Sequence, residues 1–248
     1  TPSLWAPSSL ASVLEAIRRE LPVSRGCEVT LEANPGAADA ERFADFRAAG
    51  VNRLSLGVQS FEASTLASLG RAHDGRAALR AFAAASGAGF DHVSLDFIYG
   101  VFGQPQAQVE ADARAAVALD PEHLSAYQLT LDKASLAEEV PLARQVARGE
   151  VQLPPDEAAV RMQRSIRDLF AGGGLQRYEI SNYAKPGYHS RHNALYWTGG
   201  EYLGLGAGAA GFVRAPSPVR YSNHRSASQY LGEVEAGKLP EASRETLQ

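Results

Sequence analysis

The side chains able to do chemistry cluster where short apolar runs end. Glu32 and Asn34 close the run Glu28-Val-Thr-Leu-Glu-Ala33, and Gln59 and Ser60 follow Arg53-Leu-Ser-Leu-Gly-Val58. Asp96 and Tyr99 belong to His92-Val-Ser-Leu-Asp-Phe-Ile-Tyr99, and Tyr127, Gln128 and Thr130 end the run that starts at His123. Asp96 is the sharpest of these, because a carboxylate inside an apolar stretch needs a partner or a ligand. Arg71, between Gly70 and His73, could be that partner, or a bidentate clamp for a ligand carboxylate. Further on, His192-Asn193-Ala194-Leu195-Tyr196-Trp197 sets an imidazole near flat aromatic surface. Each has a plainer reading too. Asn34-Pro35-Gly36 is a turn sequence, Gln59 can cap a helix, Arg71 can be a surface cation and His192 a loop histidine bonded to backbone. His189 is a second candidate ligand, while His73, His92, His123 and His224 read as structural or peripheral.

The elements that must position these groups follow a regular rhythm. An amphipathic segment over residues 9–20 precedes the first strand, helices are predicted over 39–49, 79–85 and 106–119, and strands separate them. Four strands alternating with helices predict a parallel βα array: a barrel, a partial barrel or an open doubly wound sheet. In such arrays ligands sit at the carboxyl ends of the strands, where Glu32, Gln59, Asp96 and Tyr127 fall. Beyond Leu131 the rhythm stops. Residues 132–150 read as charged and irregular, Pro154-Pro155-Asp156-Glu157 opens a long helix to Phe170, and Gly172-Gly173-Gly174 ends it. A domain boundary is predicted near residue 135, giving regions 1–135 and 136–248. Tyr, Gly, His and Asn crowd the stretch from 178 to 212, which suits strands and tight loops carrying a site.

Composition narrows the partners. The 248 residues are 45% hydrophobic and carry a formal net charge of -4, a soluble globular balance without the basic footprint of a nucleic-acid binder. No apolar run of about 18 residues and no signal-peptide pattern appears, so no membrane span is expected and the cytoplasm is the simplest compartment. Cys27 is the single cysteine, too few for the thiolates of an iron–sulfur cluster. The chain opens at Thr1-Pro2-Ser3 without Met and stops at Gln248, and both ends are read as truncated.

These blocks resemble a family. Glu32-Ala-Asn-Pro-Gly36, Val51-Asn-Arg-Leu-Ser-Leu-Gly-Val-Gln-Ser-Phe61, Leu69-Gly-Arg-Ala-His73 and Leu95-Asp-Phe-Ile-Tyr-Gly100 are similar to the radical-SAM core of the coproporphyrinogen oxidase-like proteins. Tyr178-Glu-Ile-Ser-Asn-Tyr-Ala184, His192-Asn-Ala-Leu-Tyr-Trp197 and Tyr202-Leu-Gly-Leu-Gly-Ala-Gly-Ala209 extend the resemblance, in order, over nearly the whole chain. It implies a partial (β/α)6 barrel followed by a smaller α+β region, S-adenosylmethionine as cofactor, and Glu32, Gln59, Arg71 and Asp96 as its contacts. Thr1 would end the family's Gly-Gly-Gly-Thr-Pro turn and join them. The His-Asn-x-x-Tyr pattern is that of the HemW-type heme chaperones, which implies His192, Asn193 and Tyr196 as heme contacts, His192 as a candidate iron ligand, and a heme-accepting protein, respiratory or membrane-bound, as partner. The alternatives are an oxygen-independent coproporphyrinogen III oxidase, which would decarboxylate propionates in porphyrin biosynthesis, and an inactive fragment.

The sequence also departs from the family. The CxxxCxxC motif that holds a 4Fe-4S cluster, and that would precede residue 1, is not among these residues, so catalytic residues cannot be assigned. Gly100-Val-Phe-Gly-Gln-Pro105 stands for the usual Gly-Leu-Pro-Gly-Gln-Thr, which puts the loop after Asp96 in question, and Gly208-Ala-Ala210 replaces Gly-Ala-His.

Overall fold

The computed structural model describes residues 2–131 and 140–247. Thr1 and the predicted boundary near 135 lie outside the described residues. The chain divides into two compact units, Thr1–His189 and Ser190–Gln248.

The first unit is built on a six-stranded sheet in the order β1-β2-β3-β4-β6-β5. Its strands are β1 (Thr30–Ala33), β2 (Arg53–Gln59), β3 (His92–Tyr99), β4 (His123–Gln128), β5 (Gln176–Arg177) and β6 (Asn182–Ala184). The first four are parallel and lie where the apolar alternation predicts them. The last two break the (β/α) repeat, since β6 runs antiparallel to both β4 and β5. For β5 and β6 the physical reason is length: residues 178–181 are too few for the crossover that parallel neighbours require.

α1 (Pro7–Glu20) precedes β1, and the parallel strands are connected by α2 (Ala37–Ala49), by α3 (Ala63–Ser68) with α4 (Gly75–Gly87), and by α5 (Gln106–Ala118). α6 (Pro141–Ala147) opens on a proline in its first turn, an ordered helix inside a stretch that reads as irregular. α7 (Asp156–Gly172) follows Pro155, carries Asp156 and Glu157 in its first turn where the helix dipole favours anions, and buries Ala159, Met162, Ile166 and Phe170 at helical spacing.

Because side chains alternate along a strand, the sheet has two chemically different faces. Leu54 and Leu56, Leu95 and Leu124 are fully buried and share one core with Phe43 and Phe46 of α2 and Phe170 of α7. Burying each such leucine contributes about 1.5–3 kcal/mol. The opposite face is mostly polar: Glu32 on β1, Arg53 and Ser55 on β2, Ser94 and Asp96 on β3, His123 and Ser125 on β4, with Ile98 the apolar exception on β3. That face holds the candidate site, which is therefore broader than the strand ends alone.

The second unit contains α8 (Arg191–Trp197), α9 (Ala227–Glu235) and an antiparallel sheet of β7 (Ala210–Val213), β8 (Val219–Asn223) and β9 (Glu241–Thr246), in that order. Little of it is buried. Asn223 is its main buried tie, donating from Nδ2 to the carbonyls of Gly204 at 3.0 Å and Gly206 at 2.9 Å. A Cβ on Gly204 would fall 2.4 Å from the carbonyl oxygen of Ala210, so the glycine there permits close backbone approach. On β9, Arg244 holds both carboxylate oxygens of Glu241 at 2.7 Å. Among the described residues no helix is long and apolar enough to cross a membrane.

Candidate functional site

Glu32, Gln59, Arg71 and Asp96 line one cleft of about 430 Å³ in the first unit, with Asn34 and Tyr127 on its wall. Thr1, predicted to join them, lies outside the described residues, although the adjoining turn Pro2–Leu4 is present with Ser3 fully buried. A second cleft of about 500 Å³ adjoins the first, and Asn34 and Arg71 line both.

Each position has a structural cause. Glu32 sits near the end of β1 on its exposed side. Gln59 ends β2 with φ +65°, a left-handed conformation that a non-glycine residue adopts at a cost of about 1 kcal/mol or more. Two neighbours hold it there. Gly57 leaves room for its amide, since a Cβ at that position would come 2.8 Å from Gln59 Nε2 and 3.5 Å from Asn34 Oδ1. Buried Asp112 clamps the turn that follows, accepting from Ser60 Oγ at 2.6 Å and from the Phe61 amide at 2.9 Å. Arg71 is exposed, and its segment is pinned: its amide donates to the Leu66 carbonyl at 2.9 Å, and His73 Nε2 to the Val58 carbonyl at 3.0 Å.

Asp96 is held by hydroxyls. Ser55 Oγ donates to Oδ2 at 2.6 Å and Ser94 Oγ lies 3.4 Å from Oδ1. Burial raises the Asp96 carboxyl above its ordinary range, opposed by the surrounding hydroxyls of Ser55, Ser125 and Ser94, while the nearby Glu32 raises it further; Ser125 itself donates to Asn182 Oδ1 at 2.7 Å. Burial also raises the Tyr127 phenol, with the Asp96 charge adding to it. No ion pair joins Arg71 to Asp96 among the described residues, so Arg71 stays available to a ligand on the same cleft. Tyr99, read from sequence as part of the mouth, faces the other way. It is buried, lines the apolar side with Ile166 and Phe170, and its phenol is pushed up to about 12 by burial and by Tyr183. Strand alternation explains this, since Tyr99 and Asp96 differ by an odd number of residues. The altered loop after β3 is nonetheless ordered: Gln104 Oε1 accepts from the amides of Gly100 at 3.0 Å and Val101 at 3.2 Å.

The second candidate group lies in the second unit, on α8. Ser190 caps the helix by accepting from the Asn193 amide at 3.2 Å. His192 is exposed, and its Nε2 is 2.9 Å from the Tyr196 hydroxyl, one helical turn on. Tyr196 packs edge-on against Tyr202 at 4.5 Å, and Trp197 is 54% exposed, which leaves open aromatic surface beside the imidazole. His189, the other candidate ligand, belongs to the first unit and stacks on Tyr178 with centroids 4.3 Å apart.

Ser55, Ser94, Ser125 and Asp112 were not singled out by their sequence. A signal was present for the serines: Arg53-Leu-Ser55, His92-Val-Ser94 and His123-Leu-Ser125 repeat one basic–apolar–serine pattern at the starts of three strands.

Comparison with known proteins bears on this arrangement. Residues 2–116 match the radical SAM superfamily. The chain is 41% identical over 216 residues to the heme chaperone HemW of Escherichia coli, covering 87% of this chain and 55% of that protein. It is 36% identical over 247 residues to the heme chaperone HemW of Mycobacterium tuberculosis H37Rv, covering 100% of this chain and 61% of that one. It is also 40% identical over 211 residues to the mouse mitochondrial radical S-adenosyl methionine domain-containing protein 1, covering 85% of this chain and 47% of the relative. The chain thus spans about half to three-fifths of the length of these relatives. Among solved structures, coproporphyrinogen III oxidase HemN of E. coli, a radical SAM enzyme, superposes with a TM-score of 0.82 over 100% of this chain and 58% of that one, at 18% identity, a likeness of fold. With the superfamily match and the relatives in agreement, the chain belongs to the radical-SAM proteins, alongside the HemW heme chaperones, and shares its fold with HemN.

Proposed function

We propose that this chain is part of a cytoplasmic heme chaperone that binds S-adenosylmethionine in the cleft of its first unit and heme at α8 of its second, and passes heme to a respiratory or membrane-bound acceptor protein. The observation that carries the reading is the convergence of Glu32, Gln59, Arg71 and Asp96 on one cleft, in a chain whose relatives are named heme chaperones.

The donor set fits S-adenosylmethionine. Asp96 would accept from ribose hydroxyls, Arg71 would neutralise the carboxylate of the methionine moiety, Gln59 would offer both a donor and an acceptor, and Glu32 would add a further acceptor. In this superfamily the bound sulfonium supplies radical chemistry once a cluster delivers an electron. That cluster takes three thiolates, and with Cys27 alone these 248 residues do not fit it. At α8, coordination of iron by His192 Nε2 requires the Tyr196 hydroxyl to leave that nitrogen, while Asn193, Tyr196 and Trp197 offer porphyrin contacts.

The test is a heme titration followed in the Soret band, beside a calorimetric titration with S-adenosylmethionine. A saturable Soret shift that weakens in His192→Ala, and a binding isotherm that weakens in Asp96→Asn, are expected. A folded protein that binds neither ligand would make the chain an inactive fragment. Formation of decarboxylated product from coproporphyrinogen by a protein of the relatives' full length would replace the chaperone reading with the oxidase.

A further inference from the structure

Behind Asp96 the sheet interior is unexpectedly polar. Ser94 Oγ lies 2.7 Å from His123 Nδ1, and His123 Nε2 lies 2.9 Å from the Tyr178 hydroxyl. Ser94 is 1% exposed and His123 2%, and neither lines the cleft. Such groups contribute little net stability over apolar side chains of the same shape, and they cost free energy whenever one is left unpaired. Yet here they run in unbroken sequence toward the one carboxylate that the site's own serines enclose.

We infer that Ser94, His123 and Tyr178 form a directional hydrogen-bond relay that fixes the orientation of the Asp96 carboxylate toward a ligand's ribose hydroxyls. They are positioning residues: none touches the ligand, and each acts through the next. For the ligand alone, the inference rests on the S-adenosylmethionine reading of the cleft.

The direction follows from the donor inventory. Both serines donate to Asp96, Ser55 Oγ to Oδ2 at 2.6 Å and Ser94 Oγ to Oδ1 at 3.4 Å, which uses the single proton of Ser94. Ser94 then accepts from His123, which places the imidazole proton on Nδ1. Nε2 is left bare and accepts from the Tyr178 hydroxyl. Every donor in the series points at Asp96, an arrangement in which successive bonds polarise one another. The imidazole stays neutral, because burial, then Arg53, then His189 push His123 down to about 3. The groups that face this ring are thus Arg53, His189, Tyr178 and Ser94, and Arg53 and His189 act in the same sense.

Two measurements test the relay. In ¹⁵N NMR of the histidine-labelled chain between pH 6 and 8, His123 should show a protonated Nδ1 and a bare Nε2, and both signals should move in Asp96→Asn. A protonated Nε2 would overturn the inference, since Ser94 would then donate to the ring rather than to Asp96. In calorimetry, Ser94→Ala and Tyr178→Phe should weaken S-adenosylmethionine by about three- to tenfold, the effect of one hydrogen bond, and its 2′-deoxyadenosyl analogue by less than about twofold. Equal losses for both ligands would mark a merely structural role and also overturn it. Tyr178→Phe carries this comparison if Ser94→Ala does not fold. If neither ligand binds the unaltered chain, the proposed cofactor fails, and the His123 tautomer still decides the relay.

Discussion

The cleft of the first unit and the helix α8 of the second are two ways of presenting polar side chains. The cleft draws Glu32, Gln59 and Asp96 from three strands, with Arg71 from the segment after α3, and secures them by long-range pairing, a left-handed residue and buried hydroxyls. On α8, His192, Asn193 and Tyr196 come from fewer than two turns of one exposed helix, held by a cap and an i,i+4 contact. The first arrangement is costly to assemble and rigid once made. The second is cheap, and can exchange an internal hydrogen bond for an external ligand. A cofactor that must be held in one pose suits the former, and a cargo that must be released suits the latter.

The contrast is sharpest at Asp96. Replacing it with Asn should weaken S-adenosylmethionine by about ten- to a hundredfold, the worth of hydrogen bonds to a charged group, with a much smaller effect on heme affinity; calorimetry on the same preparation reads both. Loss of both ligands together would break the comparison.

Next in size is an acid-side effect confined to the first unit. Burial holds His123 at about 3 when folded, against 6.5 in the unfolded chain. Below 6.5 the unfolded state takes up a proton that the folded state refuses, so stability falls as pH drops toward about 3 and levels off beneath it. At about 1.36 kcal/mol per unit, roughly 2 kcal/mol is lost by pH 5. Asp96 and Asp112, both raised by burial, run in the opposite sense, losing stability as pH rises through their folded values. Denaturant unfolding of His123→Gln against the unaltered chain isolates the histidine, and the variant should show the shallower acid decline.

Gln59→Gly should relieve the left-handed backbone and stabilise the fold by about 1 kcal/mol or less, while S-adenosylmethionine binds several-fold more weakly; thermal melts and calorimetry would then move in opposite directions. The smallest effect belongs to α8. Ser190→Ala removes its cap and should destabilise the second unit by about 0.5–1 kcal/mol, seen as faster amide exchange in α8 with the cleft unchanged.

How legible each region was in the sequence follows from the range of its contacts. β2, β3 and β4 are visible because buried parallel strands leave a dense apolar alternation; Glu32, Gln59 and Asp96 stand out as polar residues that interrupt or end it, whereas Arg71 stands out by its place between Gly70 and His73 and the cofactor role of all four comes from the family resemblance. Ser55, Ser94 and Ser125 were missed because a lone serine in a strand carries no weight until register shows that three of them surround one carboxylate. His123 was set aside as structural for a related reason: its neighbours Tyr178 and Ser94 lie 55 and 29 residues away. Tyr99 was placed on the wrong face because nearness to a strand end was weighed above parity. The antiparallel turn of β5 and β6 was hidden by strands too short to leave a pattern, two and three residues long.

β9 has a consequence for how the chain behaves in solution. It is last in its sheet's order, and an outer strand of this kind offers its backbone to any strand that approaches. Here Glu241, Arg244 and Glu245 stud it, two of them locked in a bidentate pair, so a second molecule laying its own strand alongside must bring charge against charge. Neutralising those three residues should leave both candidate sites intact while removing the charges that oppose edge-to-edge pairing, and light scattering would read any gain in association.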